Sequence, residues 1–242
     1  MKIEIWSDFV CPFCYIGKRR LEMALEQFPH KDQVQIEYKS FELDPHAPTH
    51  SEQGIYEALA AKYGSTVEQM KQMNIGLIQQ AAELGLSFEF EGMKPTNTFD
   101  AHRLSKYAKT IGKDKEITEK LLSAYFTKSK NVGDIDTLVE VALEAGIERE
   151  KALEVLSNKT SYEQEVRNDQ SLAKQYGIQG VPFFLLNQKY AISGAQSPET
   201  FAGALQKVWD EEHQKPMFQD LTVSDQDVCT DDGCIVPQNT EK

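Results

Sequence analysis

Cysteine is scarce in this chain: there are four in 242 residues, at positions 11, 14, 229 and 234. That is too few for a secreted disulfide scaffold, and a chain of this length can bury a full core without staples. No apolar run is long enough to span a membrane. The opening Met1-Lys2-Ile3-Glu4-Ile5 has no apolar h-region and goes straight into a strand pattern, so no signal peptide is expected. The expected setting is the cytoplasm, where the Asn158-Lys159-Thr160 sequon carries no meaning. Positive charge is also in deficit. A formal net charge of −12 argues against a phosphate-binding surface, so neither nucleic acid nor a membrane is an expected partner. The single tight basic cluster, Lys18-Arg19-Arg20, reads as a solvated helix face. Internal repeats and low-complexity tracts are lacking, and the length allows one or two domains.

Against these absences, Val10-Cys11-Pro12-Phe13-Cys14-Tyr15 stands out. It follows directly on the first apolar segment, Ile3-Glu4-Ile5-Trp6. A bare C-x-x-C can hold zinc, staple a loop or exchange disulfides. At the end of a strand and the start of a helix, in a chain that reads as cytosolic, it points to thiol–disulfide chemistry. The free N–H groups and positive dipole end of a helix stabilise a thiolate, and the thiolate is the nucleophile. Cys14, Leu21, Leu25 and Phe28 fall on one stripe at helical spacing, with Lys18, Arg19, Glu22 and Glu26 off it. Cys14 is therefore expected to face the core and Cys11 to sit at the cap, nearer solvent. Cys11 then attacks, and Cys14 resolves the mixed disulfide. Pro12 suits the first helical position, where a missing N–H costs little. The competing reading is a structural disulfide or a buried pair of thiols.

Further along, Val34 to Phe41 alternates with period two, the pattern of a half-buried strand. From about Ser51 to Asn158 helical patterns follow one another. Ser65-Thr66-Val67-Glu68 fits a capped start for a helix through Leu84. Further helices are expected from Thr96 or Asn97, from Glu116 to Thr127 and from Ile135 to Ala145. Phe88-Glu89-Phe90 alternates like a short strand. After a helix over Thr160 to Tyr176, the apolar run Val181 to Asn187 pairs with Tyr190-Ala191-Ile192 as a hairpin, and Ser197-Pro198-Glu199 opens a last helix to about Gln214. The order is β-α-β, a helical block, then α-β-β-α, which places the chain in the α/β class.

The late run opens with Gly180-Val181-Pro182-Phe183. A proline at a strand entrance cannot join the ladder with an N–H. An ordinary trans edge proline is one reading. Beside an early C-x-x-C, the sharper reading is a cis-Pro loop at the active site. Here the chain resembles the DsbA-like branch of the thioredoxin superfamily, and within it the FrnE-type, or 2-hydroxychromene-2-carboxylate-isomerase-like, members. The resemblance is carried by Ser7 to Gly17, Phe41 to Pro45, Asn97 to Arg103, Ala124-Tyr125-Phe126, Gly180 to Phe183 and Ser193 to Gln196, in that order. It implies a thioredoxin fold with an all-helical domain inserted between the second and third strands: residues 1–45 and 160–215 form the thioredoxin-like part, residues 46–159 the insertion, and residues 216–242 an acidic tail. It also implies a cis Val181–Pro182 bond, with the Val181 backbone pairing with a substrate peptide held over Cys11. Such a loop could offer main-chain groups by strand addition.

Two departures from the family pattern stand out. Phe13 fills a place where periplasmic relatives carry a histidine, and it donates no hydrogen bond. Ile5 fills the first-strand place where many relatives keep a buried carboxylate, so the motif names no proton acceptor for Cys14. Glu37 and Lys39 are near but read as solvated strand charges. His102 reads as a packing or hydrogen-bonding residue of the insertion, with lining the cleft as the alternative. In the tail, Cys229-Thr230-Asp231-Asp232-Gly233-Cys234 carries strong turn chemistry. Such a turn can bring two Cα atoms within the ~4.4–6.8 Å that a disulfide needs. A short exposed loop would hold a labile disulfide, and a C-x4-C pair is a feature of some FrnE-type members; two incidental thiols is the plainer reading.

The sequence thus points to a cytoplasmic thiol–disulfide oxidoreductase or isomerase. Cys11 and Cys14 are catalytic, Pro12 and Phe13 lie inside the motif, Val181 and Pro182 bind substrate, and Cys229 and Cys234 form a possible second redox pair. Protein or small-molecule disulfides and dithiols are the expected partners. No metal or cofactor is expected, with glutathione as a possible redox partner. Two alternatives stand beside it: a glutathione-dependent isomerase or transferase on the same fold, and a non-catalytic module stabilised by zinc through the two cysteine pairs. Relatives of the first kind typically replace the first cysteine by serine, which the Cys11–Cys14 pair argues against.

Overall fold

The computed structural model describes residues 1–213, and beyond them only the backbone of 229–230 and 233–234. Strand β1 (Lys2–Ser7) lies inside the sheet, and every residue in it after Lys2 is buried. Strand β2 (Gln35–Ser40) runs parallel to it, from Lys2 opposite Gln35 to Ser7 opposite Ser40. A parallel pair needs a crossover, and helix α1 (Pro12–Glu26) is the helical part of that crossover. On the other side β3 (Phe183–Leu186) runs antiparallel to β1, with Trp6 opposite Phe183, and β4 (Tyr190–Ser193) completes the hairpin. The strand order is β2-β1-β3-β4.

Seven helices lie between β2 and β3 in the described chain: α2 (Ile55–Tyr63), α3 (Val67–Glu83), α4 (Phe99–Thr110), α5 (Asp114–Phe126), α6 (Ile135–Glu144), α7 (Arg149–Ser157) and α8 (Glu163–Gln175). Helix α9 (Pro198–Glu212) follows β4. The α/β class and the run of helices between the second and third strands are as the sequence indicates. Local chemistry sets several of the starts. Thr66 and Gln69 form a capping box on α3, and Asp134 accepts from Thr137 N at 2.9 Å to cap α6.

Three apolar clusters form, the smallest around Trp6, Ala173, Ile178 and Leu185, and α1 serves the two larger ones. Tyr15 and Ile16, with Phe9 just before the motif, pack into the core of the helical block. Leu21 and Ala24 of α1, with Phe28 beyond its end, pack against Ile3, Ile5, Phe184 and α9. Phe88 and Phe90 do not form a strand. Both rings are buried in the helical core, Phe88 stacking on Phe126 at 4.8 Å, while Glu89 N donates to Phe126 O at 2.8 Å. Their alternation comes from rings inserted by an extended connection that ends in a short 3-10 turn.

Charges that read as solvated are largely buried. Lys18 is buried and holds Glu22 and Glu119, and Arg19 also meets Glu119, so the basic cluster ties α1 to α5. Glu37 is buried among Lys2, Lys39 and Lys109, and Lys39 also faces Glu4 and Asp169. Charges of one strand look solvated along the sequence because their partners come from other elements. Arg103 is fully buried; it bonds Asp100 and donates to the carbonyls of Val155, Asn158, Ser161 and Leu156 at 2.8–3.3 Å.

Met1–Glu212 makes one compact unit and His213–Lys242 a second. In the second, β5 (Cys229–Thr230) pairs antiparallel with β6 (Gly233–Cys234), and Cys229 lies opposite Cys234. The side chains of Cys229 and Cys234 lie outside the described residues. Among the described residues, no helix is long and apolar enough to cross a membrane.

Candidate active site

Cys11 is the N-cap residue of α1, with extended backbone (φ −94°, ψ 110°), and Pro12 opens the helix, as the motif predicts. The cap makes no side-chain hydrogen bond, so the Cys11 thiol is not spent on closing its own helix. Cys14 N donates to Cys11 O at 3.0 Å, which folds the motif into the first turn. Both cysteines are free thiols. The expected contrast in exposure is slight: Cys11 is 4 % exposed and Cys14 2 %. Cys11 is covered too, and what separates the pair is their neighbours.

The Cys11 thiol donates to Val181 O at 3.5 Å, and Val181–Pro182 is a cis peptide bond, the arrangement expected of that loop. Val181 N–H has no hydrogen-bond partner among the described residues. Pro182 is seated against α1 at Gly17, where a Cβ would come within 3.1 Å of Pro182 Cγ and 3.2 Å of Phe184 Cζ. Pro182 O accepts from Gly194 N at 2.9 Å, and Arg20 donates to Ala195 O at 2.6 Å. Gly17 and Arg20 thus hold the loop onto the helix. Sequence reasoning had Gly17 only as part of a longer motif; a glycine inside an otherwise good helix was the available signal.

Burial pushes the Cys14 thiol well up from its ordinary range, reinforced by Cys11 alongside, while the Ser7 hydroxyl and the Asp8 backbone N–H act in the opposite direction. Asp8 is itself buried. Its Oδ2 accepts from Leu43 N at 2.7 Å, and its Oδ1 lies 3.3 Å from His102 Nε2. The same Nε2 lies 3.1 Å from Phe41 O, and the Phe9 ring packs on the imidazole at 4.7 Å. His102 is thus a hydrogen-bonding residue at the floor of the motif, and Ser7 and Asp8 are its unforeseen company.

Phe13, between the two cysteines, is 47 % exposed, and so is offered to whatever approaches. A cleft of about 360 Å³ opens between Phe41, Glu42 and Pro45 on one side and the end of α8 with Gly177, Ile178 and Gln179 on the other. It leads into the cis-Pro loop by sequence. Among the described residues, no group of three or more histidines, cysteines or acids could hold a metal ion.

The profile of the DSBA-like thioredoxin domain matches residues 2–206. The chain is similar to the crystal structure of a probable DsbA oxidoreductase from Streptomyces coelicolor, at 39 % identity and a TM-score of 0.84, covering 98 % of this chain and 100 % of that one. It is 27 % identical over 214 residues to the uncharacterized protein YwbO of Bacillus subtilis (strain 168), covering 88 % of this chain and 98 % of the relative. A 2-hydroxychromene-2-carboxylate isomerase shares the fold at 14 % identity and a TM-score of 0.63, covering 88 % of this chain and 98 % of the isomerase.

Proposed function

The chain belongs to the DSBA-like thioredoxin domain family, and from that premise we propose that it is a thiol–disulfide oxidoreductase with Cys11 as nucleophile and Cys14 as resolving thiol. The observation that carries the reading is the position of the Cys11 thiol, at the cap of α1 and 3.5 Å from Val181 O. The thiolate of Cys11 attacks a substrate disulfide, one substrate sulfur leaves as a thiolate, and Cys14 then attacks Cys11 to release the other. Val181 and Pro182 present the substrate: the unpaired Val181 N–H is available to an extended peptide in the manner of strand addition. Protein or small-molecule disulfides and dithiols are the substrates, and glutathione the redox partner. Direction is set by the potential of the couple against its partners. Metal, nucleic acid and membrane have no part in this reading. A cytoplasmic location belongs to the same reading.

Insulin reduction and dithiol oxidation test the assignment. Cys11→Ser should abolish both, and Cys14→Ser should accumulate mixed disulfides with substrate. Turnover that survives in Cys11→Ser would sink it. A thiol titration with and without chelator separates this reading from a zinc-stabilised module.

Cys229 and Cys234 enter as a second redox pair. Their backbones face each other across the β5–β6 ribbon. Directly opposed residues of an antiparallel pair lie about 4.5–5.5 Å apart, inside the range a disulfide takes. The pair exchanges with Cys11–Cys14 through a mixed disulfide, one dithiol being oxidised as the other disulfide is reduced. Replacing both tail cysteines by serine should leave the fold intact and change turnover with physiological acceptors. Unchanged turnover with every acceptor tried ends that part of the reading.

A further inference from the structure

Resolution has a requirement that the C-x-x-C segment alone does not meet. Cys14 attacks as a thiolate, yet its thiol is buried and burial holds it protonated. A base must take that proton inside the protein. Resting on the reading that Cys14 is the resolving thiol, we infer that Asp8 and His102 form a dyad that accepts the Cys14 proton by way of the Ser7 hydroxyl and a single water.

Hydrogen-bond chemistry fixes the state of the ring. Phe41 O can only accept, so His102 Nε2, 3.1 Å from it, carries the hydrogen. That N–H also faces Asp8 Oδ1 at 3.3 Å. The neutral ring therefore has its lone pair on Nδ1, and a proton taken there leaves the ring beside the Asp8 carboxylate. His102 and Ser7 both line a small cavity of about 10 Å³, the lower limit for one water. The Ser7 hydroxyl in turn favours the Cys14 thiolate against burial. The path runs from Cys14 Sγ to Ser7 Oγ, through the water, to the imidazole.

Other charged groups bear on the same cavity from each packed element. Lys39 of β2 is held by Glu4, Glu37 and Asp169. Lys106, one turn along α4 from His102, is held by Asp169 of α8 and donates to Tyr38 O at 3.1 Å. Burial lowers the Lys106 pKa, which makes it the rival base. Its ammonium is already committed to a carboxylate, whereas the imidazole has a free lone pair. From α5, Thr118 lines the cavity, and Tyr125, pushed up by burial and the Asp8 charge, stays a neutral phenol.

In the mixed disulfide Cys11–S–S–R, Cys14 passes its proton to Ser7, which passes its own through the water to His102 Nδ1. The Cys14 thiolate attacks Cys11 Sγ, the bond from Cys11 to the substrate sulfur breaks, and the substrate leaves as a thiolate that takes a proton. The Cys11–Cys14 pair is oxidised by two electrons and the substrate reduced by two.

The test is stopped-flow reaction of the reduced, full-length chain, carrying Cys229→Ser and Cys234→Ser, with one equivalent of dithiobis-nitrobenzoate. The first release of thionitrobenzoate reports attack by Cys11, and the second reports resolution by Cys14. Near neutral pH, His102→Gln, whose amide can still donate to Phe41 O, should lower the ratio of second-phase to first-phase rate by about 10²-fold. Ser7→Ala should lower it similarly, and it carries the test if His102→Gln does not fold. In both variants the second phase should climb tenfold per pH unit and regain the parent rate once the Cys14 thiol ionises unaided. An unchanged ratio overturns the relay, as do two phases slowed by one common factor or a loss seen in Lys106→Gln but not in His102→Gln. A parent protein with no first phase instead overturns the nucleophile assignment on which the relay rests.

Discussion

An alanine at Gly17 would bring its Cβ within 3.1 Å of Pro182 Cγ, 3.2 Å of Phe184 Cζ and 3.4 Å of Ala195 Cα. Two opposing effects decide the outcome. Glycine inside a helix costs about 0.8–1.0 kcal/mol relative to alanine, so the substitution should help α1. Overpacking a well-filled site costs about 1–3 kcal/mol. The net expectation is a loss of about 0–2 kcal/mol. Gly203 of α9 is the internal control, because a Cβ there meets nothing within 4 Å; Gly203→Ala should gain roughly 0.5–1 kcal/mol. Denaturant midpoints of the two variants should therefore move in opposite directions, or Gly17→Ala should at best stay level. The contact also bears on activity. Pro182 would have to give way by a few tenths of an ångström. If misplacement costs about 10² per ångström, a shift of about 0.3 Å lowers kcat/KM for a peptide disulfide roughly fourfold. Equal stabilisation by both alanines, with activity intact, would refute the claim that α1 and the cis-Pro loop are held in tight contact through Gly17.

Three further predictions rest on separate features. Burial alone would raise the Glu37 carboxyl, but hydrogen bonds from Lys109, Lys2 and Lys39 outweigh it and hold the group well below its ordinary value of 4.5. Its folded pKa is depressed, so its stabilisation is fully present above about pH 4.5 and is lost as pH falls below that; Glu37→Gln should flatten the acid limb of a stability–pH curve, and an unchanged limb contradicts this. Arg103→Lys keeps the charge but cannot span Asp100 and the carbonyls of Val155, Asn158, Ser161 and Leu156, and should cost about 3–5 kcal/mol by urea unfolding. Phe13→His adds a donor beside the Cys11 thiolate; at about 1.5–3 kcal/mol for a hydrogen bond to a charged group, the couple should become more oxidising by about 30–60 mV against a glutathione series.

The fold was legible in the sequence wherever the pattern was local. Period-two alternation in β2, the stripe through Cys14 and Leu21, and the Thr66 cap each depend on neighbours a few residues away, and each stands in the structure. The cis-Pro loop was legible because its proline opens an apolar run in a chain that also carries C-x-x-C. Legibility failed where partners are distant. Lys18 looked solvated because Glu119 lies 101 residues away, and Glu37 because Lys109 lies 72 away. The link from Asp8 to His102 spans 94 residues, and no spacing rule joins them. Phe88 and Phe90 alternated for a reason unrelated to strand pairing, since both rings fill the helical core. Helices α2 and α7, at nine residues each, merged into a general helical character.

Helix α1 lends Tyr15 and Ile16 to one core and Leu21 and Ala24 to a second. The helical block therefore cannot come loose without pulling on the helix that carries both thiols. Amides of α1 should exchange with solvent only through the slowest, whole-molecule openings. A chain whose helical block is cut away would lose its redox centre along with its apolar cover, so the two layers fail together rather than in turn.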